Sequence, residues 1–102
     1  MLVVDDSLLI RNGVKRLFEG EPDFEIAGEA EHGIEAIEKA IALRPHLIVM
    51  DFSMPIMNGL VAAPILLERL PGVPIIMLTM YSGDEMAASA RKVGIHAVVP
   101  KI

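Results

Sequence analysis

The sequence predicts an α/β fold: a doubly wound, five-stranded parallel sheet with helices on both faces. Two observations predict it. Five short apolar runs, Met1 to Val4, Phe24 to Ala27, Leu47 to Met50, Pro74 to Leu78 and Ala97 to Val99, are rich in Val and Ile and bounded by Gly, Pro, Asp or Glu, as strands are. Between them lie longer stretches whose apolar residues recur at helical spacing. Alternation of this kind builds a parallel sheet with crossover helices on both faces, and the winding implies the sheet order 2-1-3-4-5.

Each element has its own warrant. The run from Met1 to Val4 is apolar at every position, which suits a strand buried on both faces. Ile10, Val14, Leu17 and Phe18 then mark a helix, with Ser7 as a candidate N-cap. Gly20 and Pro22 break the chain before Phe24 to Ala27, and the acidic run Glu19, Glu21, Asp23, Glu25 reads as a solvated edge. Ile34, Ile37 and Ile41 mark the second helix, closed by Arg44-Pro45. After Leu47 to Met50, Asn58-Gly59 predicts a turn and cap. Ala63, Leu66, Leu67 and Leu70 then mark a third helix. Pro64 lies in it and should cost a hydrogen bond and a kink unless it falls in the first turn. Pro71-Gly72 precede the fourth strand. Ser82 and Glu85 form a candidate capping box ahead of the helical set Met86, Ala90 and Val93. Gly94 precedes the last strand, after which only Pro100, Lys101 and Ile102 remain. A sheet covered on both faces would want one more helix there. The expectation is therefore one domain spanning 1–102, truncated before its last helix, with an apolar face short of cover.

Composition narrows the function. The 102 residues suffice for one domain, and 53% apolar with 23% charged residues describes a globular chain, not a disordered one. The net charge of −5 makes direct nucleic-acid binding by this domain a poor expectation. The absence of cysteine excludes disulfide scaffolds and thiolate metal sites. No apolar run approaches a membrane span, and the first run is too short for a signal peptide and lacks a basic flank. A cytoplasmic location without membrane contact is the expectation.

The chemistry gathers at the ends of the predicted strands. Asp5 and Asp6 follow the first, Asp51 the third, Thr79 the fourth, and Lys101 comes just after the fifth. In an open parallel sheet the carboxyl ends of neighbouring strands share one edge, where ligands bind. Three acids there repel each other unless a cation joins them, and hard oxygen ligands favour Mg²⁺. A carboxylate so held can act as a nucleophile toward phosphorus. Thr79 and Lys101 would add a hydroxyl donor and a positive charge for phosphoryl oxygens. Taken alone each residue has a duller reading: Ser7 as a cap, Asp51 as a turn opener, Lys101 as a solvated cation. His32, His46 and His96 lack ligand spacing and read as surface or loop residues. Met54 and Met57 flank the acidic pocket.

Together these motifs resemble the receiver domain of bacterial two-component response regulators, a flavodoxin-like fold. The matching segments are Val3-Val4-Asp5-Asp6-Ser7, Val49-Met50-Asp51-Phe52-Ser53-Met54-Pro55 with Asn58-Gly59, Leu78-Thr79, and Pro100-Lys101, covering essentially the whole chain. The resemblance implies that Asp51 accepts a phosphoryl group from a sensor histidine kinase. It implies that Mg²⁺ is held by Asp5, Asp6, Asp51 and the backbone carbonyl of Ser53, that Thr79 is the switch hydroxyl, and that Lys101 pairs with the phosphoryl group. Side chains at Ser53 and Tyr81 would tune how long that group survives. Leu78-Thr79-Met80-Tyr81 is also similar to receivers joined to a C-terminal helix-turn-helix DNA-binding domain, which implies regulation of transcription. In the family the last helix often helps form dimers, so a homodimer is an open expectation. No enzyme activity is expected beyond the domain's own phosphorylation and dephosphorylation.

Two departures stand out. Val98 occupies the position three before the lysine where the family usually has Tyr or Phe, and Ile102 follows Lys101 where many members have Pro. Switching would then run through Thr79 and the following loop. The alternatives are a haloacid-dehalogenase-like Mg²⁺-dependent phosphatase, a flavodoxin-like cofactor binder, and a receiver-like domain that acts without phosphorylation. The first needs a second Asp two residues after the nucleophile, where this chain has Ser53. The second needs a Ser/Thr/Gly-rich phosphate loop after the first strand, where this chain has two aspartates.

Overall fold

A computed structural model describes residues 1–54, 56–80 and 84–100. Strands and helices alternate: β1 (Leu2–Val4), α1 (Leu8–Leu17), β2 (Gly28–Ala30), α2 (Gly33–Leu43), β3 (Ile48–Asp51), α3 (Gly59–Arg69), β4 (Ile75–Thr79), α4 (Asp84–Lys92) and β5 (Ala97–Pro100). The strands form one parallel sheet in the order β2-β1-β3-β4-β5, as the winding predicts.

The pleat divides the apolar strand residues between two faces. Leu2, Val4, Ile48, Met50, Ile75 and Met77 face one way and pack with Ala36 and Ala40 of α2, Ala62, Ala63 and Leu66 of α3, and Ala90 of α4. Burying each of the larger side chains contributes about 1.5–3 kcal/mol. Val3 and Val49 face the other way and pack with Val14 of α1, flanked by Ile10, Phe18, Leu47 and Leu78. On that face an apolar groove of about 240 Å³ runs between α1 and the β4–β5 edge, lined by Leu9, Leu17, Leu78 and Val99 among others.

Three sequence expectations shift. The second strand is Gly28–Ala30, not Phe24 to Ala27. As an edge strand it buries only Ala30 fully, so it carries no apolar run of its own. The run that suggested a strand is largely exposed, and Phe24 instead packs its ring against Phe18 at 5.0 Å. In α2 the buried residues are Gly33, Ala36 and Ala40, while Ile34 and Ile41 are 41% and 42% exposed. The small residues let α2 approach the sheet and α3 closely. In α3, Pro64 falls past the first turn yet the helix continues through it. Pro64 lies on the exposed face, and the cost is the hydrogen bond its missing N–H would have given to the Leu60 carbonyl. The Ser82 capping box lies outside the described residues.

Among the described residues no helix is long and apolar enough to cross a membrane.

Candidate functional site

Register brings the acids together. Val4 pairs with Met50 across β1 and β3, and the next residue of each strand is an aspartate, Asp5 and Asp51. Asp51 in turn pairs with Leu78 across β3 and β4, so Thr79 lies one step beyond it. Thr79 pairs with Pro100 of β5. Asp5, Asp51 and Thr79 are all buried, whereas Asp6 is exposed. Carboxylate oxygens of Asp5, Asp6 and Asp51 lie within 4.8 Å of one another. The site therefore sits at the carboxyl edge of the three central strands, with Asp6 on its solvent side.

One local device shapes both strand ends. The Ser7 N–H donates to Asp5 Oδ1 at 2.9 Å, and the Ser53 N–H donates to Asp51 Oδ1 at 3.3 Å. Each aspartate thus closes a turn with the residue two positions on, which fixes its side-chain direction as the chain leaves the sheet. After the first turn, Ser7 Oγ accepts from the Ile10 N–H at 3.4 Å and caps α1. After the second, Asn58 Oδ1 accepts from the Val61 N–H at 3.0 Å and caps α3. The Phe52 N–H bonds to the Leu78 carbonyl and the Gly59 N–H to the Phe52 carbonyl, which draws the start of α3 against the end of β3. Met54 is buried and Met57 half-buried beside this turn.

Hard oxygen donors this close suit a Mg²⁺ ion that takes one or two carboxylates and keeps several waters. Ser53 follows Asp51 as that arrangement requires. Val98, level with Met77 on β5, is half-buried against the α2–α3–α4 face of the core. Lys101, Tyr81 and Ile102 lie outside the described residues; Pro100, the residue before Lys101, is level with Thr79.

Sequence reasoning missed two parts of this edge. Arg11 is buried in α1, where its Nη1 donates to the Asp5 carbonyl at 2.6 Å and its Nε to Glu29 Oε1 of β2 at 3.0 Å. Lys15 Nζ holds the other Glu29 oxygen at 2.9 Å. The signal for Arg11 was its place in the apolar stripe of α1, between Ser7 and Val14 at helical spacing. His32 is not a loop residue: its Nδ1 accepts from the Glu35 N–H at 3.2 Å as the N-cap of α2, and Glu35 Oε1 accepts from the Glu31 N–H at 2.8 Å. That is a capping box with histidine in the Ser/Thr position.

The family model of the response regulator receiver domain matches residues 1–102, and the chain belongs to that family. Among curated relatives, protein-glutamate methylesterase/protein-glutamine glutaminase 1 of Methanosarcina mazei is 39% identical over 102 residues, covering 98% of this chain and 28% of that protein. Transcriptional regulatory protein DegU of Brevibacillus brevis is 34% identical over 94 residues, covering 92% of this chain and 40% of that protein. The response regulator domain of Thermotoga maritima CheB superposes with a TM-score of 0.90 at 35% identity, covering 98% of this chain and 75% of that one. The chain thus spans less than half the length of these two curated relatives. The expectation of a protein that is not an enzyme is overturned by the first of them, which is named as one.

Proposed function

We propose that this receiver domain is switched by phosphorylation of Asp51. The observation that carries the reading is the set of three carboxylates within 4.8 Å at the ends of β1 and β3. Asp5, Asp6, Asp51 and the Ser53 carbonyl would hold Mg²⁺. When bound, the ion supplies charge neutralisation for the phosphoryl oxygens. An Asp51 carboxylate oxygen attacks the phosphorus of a phosphohistidine on a sensor kinase. The new O–P bond forms as the N–P bond breaks, and the electron pair stays with the imidazole. Thr79 donates its hydroxyl to a phosphoryl oxygen and Lys101 pairs with the same group. Val98 has no ring to reorient, so the change is read through Thr79 and the loop that follows it. The cytoplasm, where kinase and Mg²⁺ are both available, is the setting this chemistry calls for, and a homodimer of receivers is one form the output could take.

For the output of the whole protein two readings each have support. The identity to a methylesterase and the likeness to the CheB receiver favour control of a protein-modifying enzyme in chemotaxis. The likeness to DegU, with Leu78-Thr79-Met80-Tyr81, favours control of a DNA-binding effector. Phosphorylation should raise glutamyl-ester hydrolysis in the first case and operator binding in the second.

Treatment with acetyl phosphate and Mg²⁺ should add one labile phosphoryl group by intact mass, absent in Asp51→Asn and without Mg²⁺. A folded wild-type protein that never gains it would sink the proposal.

A further inference from the structure

Arg11 is buried and charged, and nothing in the phosphoryl chemistry above uses it. We infer that it is a positioning residue for the acidic site: its guanidinium fixes the peptide between Asp5 and Asp6, and so aims both carboxylates at one cation. This rests on the Mg²⁺ reading given under Proposed function and deepens it.

The geometry carries the inference. The carbonyl that Arg11 Nη1 holds at 2.6 Å is that of Asp5, so it belongs to the peptide plane shared by Asp5 and Asp6. Fixing that plane sets the Asp5 ψ and the Asp6 φ together. The rest of Asp5 is held as well: its N–H donates to the Ala30 carbonyl at 3.0 Å and its Oδ1 accepts from Ser7. Asp6 is exposed, so its direction depends on its backbone. The planar fork of Arg11 is itself aimed, because Nε donates to Glu29 Oε1 at 3.0 Å while Lys15 holds Glu29 Oε2 at 2.9 Å. The chain of contacts runs from the sheet edge to the acids without touching the cation's place.

Two effects of Arg11 oppose each other. Its positive charge repels a cation, and its hydrogen bond preorganises the ligands. The ion pair with Glu29 offsets the charge locally, so preorganisation prevails. Removing Arg11 should therefore weaken Mg²⁺ binding, although it removes a like charge.

MgCl₂ titrations without a phosphodonor, followed by amide NMR shifts well below each variant's melting temperature, test this. Arg11→Met should bind Mg²⁺ about tenfold more weakly, as loss of an outer-shell partner does. Arg11→Lys, which keeps the charge without the fork, should fall between it and wild type. Ile75→Val, at the opposite end of β4, should lose stability but keep wild-type affinity. If Arg11→Met does not fold, Arg11→Lys decides alone. Tighter or unchanged binding in the Arg11 variants would overturn the positioning role, as would losses that Ile75→Val shares. Asp6→Asn separates the two ideas: if it titrates like wild type, the cation reading itself has failed.

Discussion

A methyl group added to Gly59 would stand 2.8 Å from the carbonyl oxygen of Asp51 and 3.3 Å from the Cα of Phe52. Both are backbone atoms of the strand end that presents the reactive aspartate, so neither can swing aside. Glycine here lets the first turn of α3 press against the carboxyl end of β3. Gly59→Ala sets two effects against each other. Alanine favours a helix by about 1 kcal/mol, while the clash should cost about 1–3 kcal/mol. The clash wins in this account. Urea unfolding should show a net loss of stability, and acetyl phosphate should label the variant more slowly. A variant as stable as wild type would show that the close approach is not rigid.

The Lys15 hydrogen bond to Glu29, reinforced by Arg11, outweighs partial burial and holds the Glu29 carboxyl below its ordinary value of 4.5. A carboxylate depressed in the folded state adds stability above its unfolded pKa and loses it as pH falls through the folded one. Glu29→Gln should therefore be less stable than wild type at neutral pH, and the gap should close below about pH 4 as wild type is protonated. The effect is modest because the side chain keeps about a third of its surface in water. Urea midpoints measured from neutral pH downward check it; a gap that widens in acid would reverse the sign.

Ile56 sits in the turn after Asp51 with φ of 73° and 72% of its surface exposed. A β-branched side chain in the left-handed region is strained, and this one recovers little by burial. Ile56→Gly should raise stability by roughly 1 kcal/mol, read as a higher melting temperature. A drop would mean that the isoleucine side chain contributes more than its exposure suggests.

Most of the fold was legible because buried central strands announce themselves. β1, β3 and β4 are apolar runs ending in the polar residues that make the site, and their register follows from the winding. The edge strand β2 was misplaced because an edge need not be apolar, so the nearby run holding Phe24 and Ile26 drew attention away. The buried face of α2 was misread because close packing against α3 favours Ala36 and Ala40 over Ile34 and Ile41. The three aspartates were legible as a group, and the family match supports the receiver reading. Arg11 was not, since its role depends on a contact with a backbone carbonyl that residue type alone does not reveal. His32 was missed for a related reason: histidine is an uncommon cap.

The central claim is a division of labour at one sheet edge, in which Asp51 reacts while Asp5 and Asp6 hold the cation. Borohydride reduces an aspartyl phosphate to homoserine, which marks the phosphorylated residue. Wild-type protein should be treated with acetyl phosphate and Mg²⁺, reduced, digested and mapped by mass. The account predicts homoserine at position 51 and nowhere else. Homoserine at position 5 or 6, or an unmodified position 51 in protein that has gained a phosphoryl group, would contradict it.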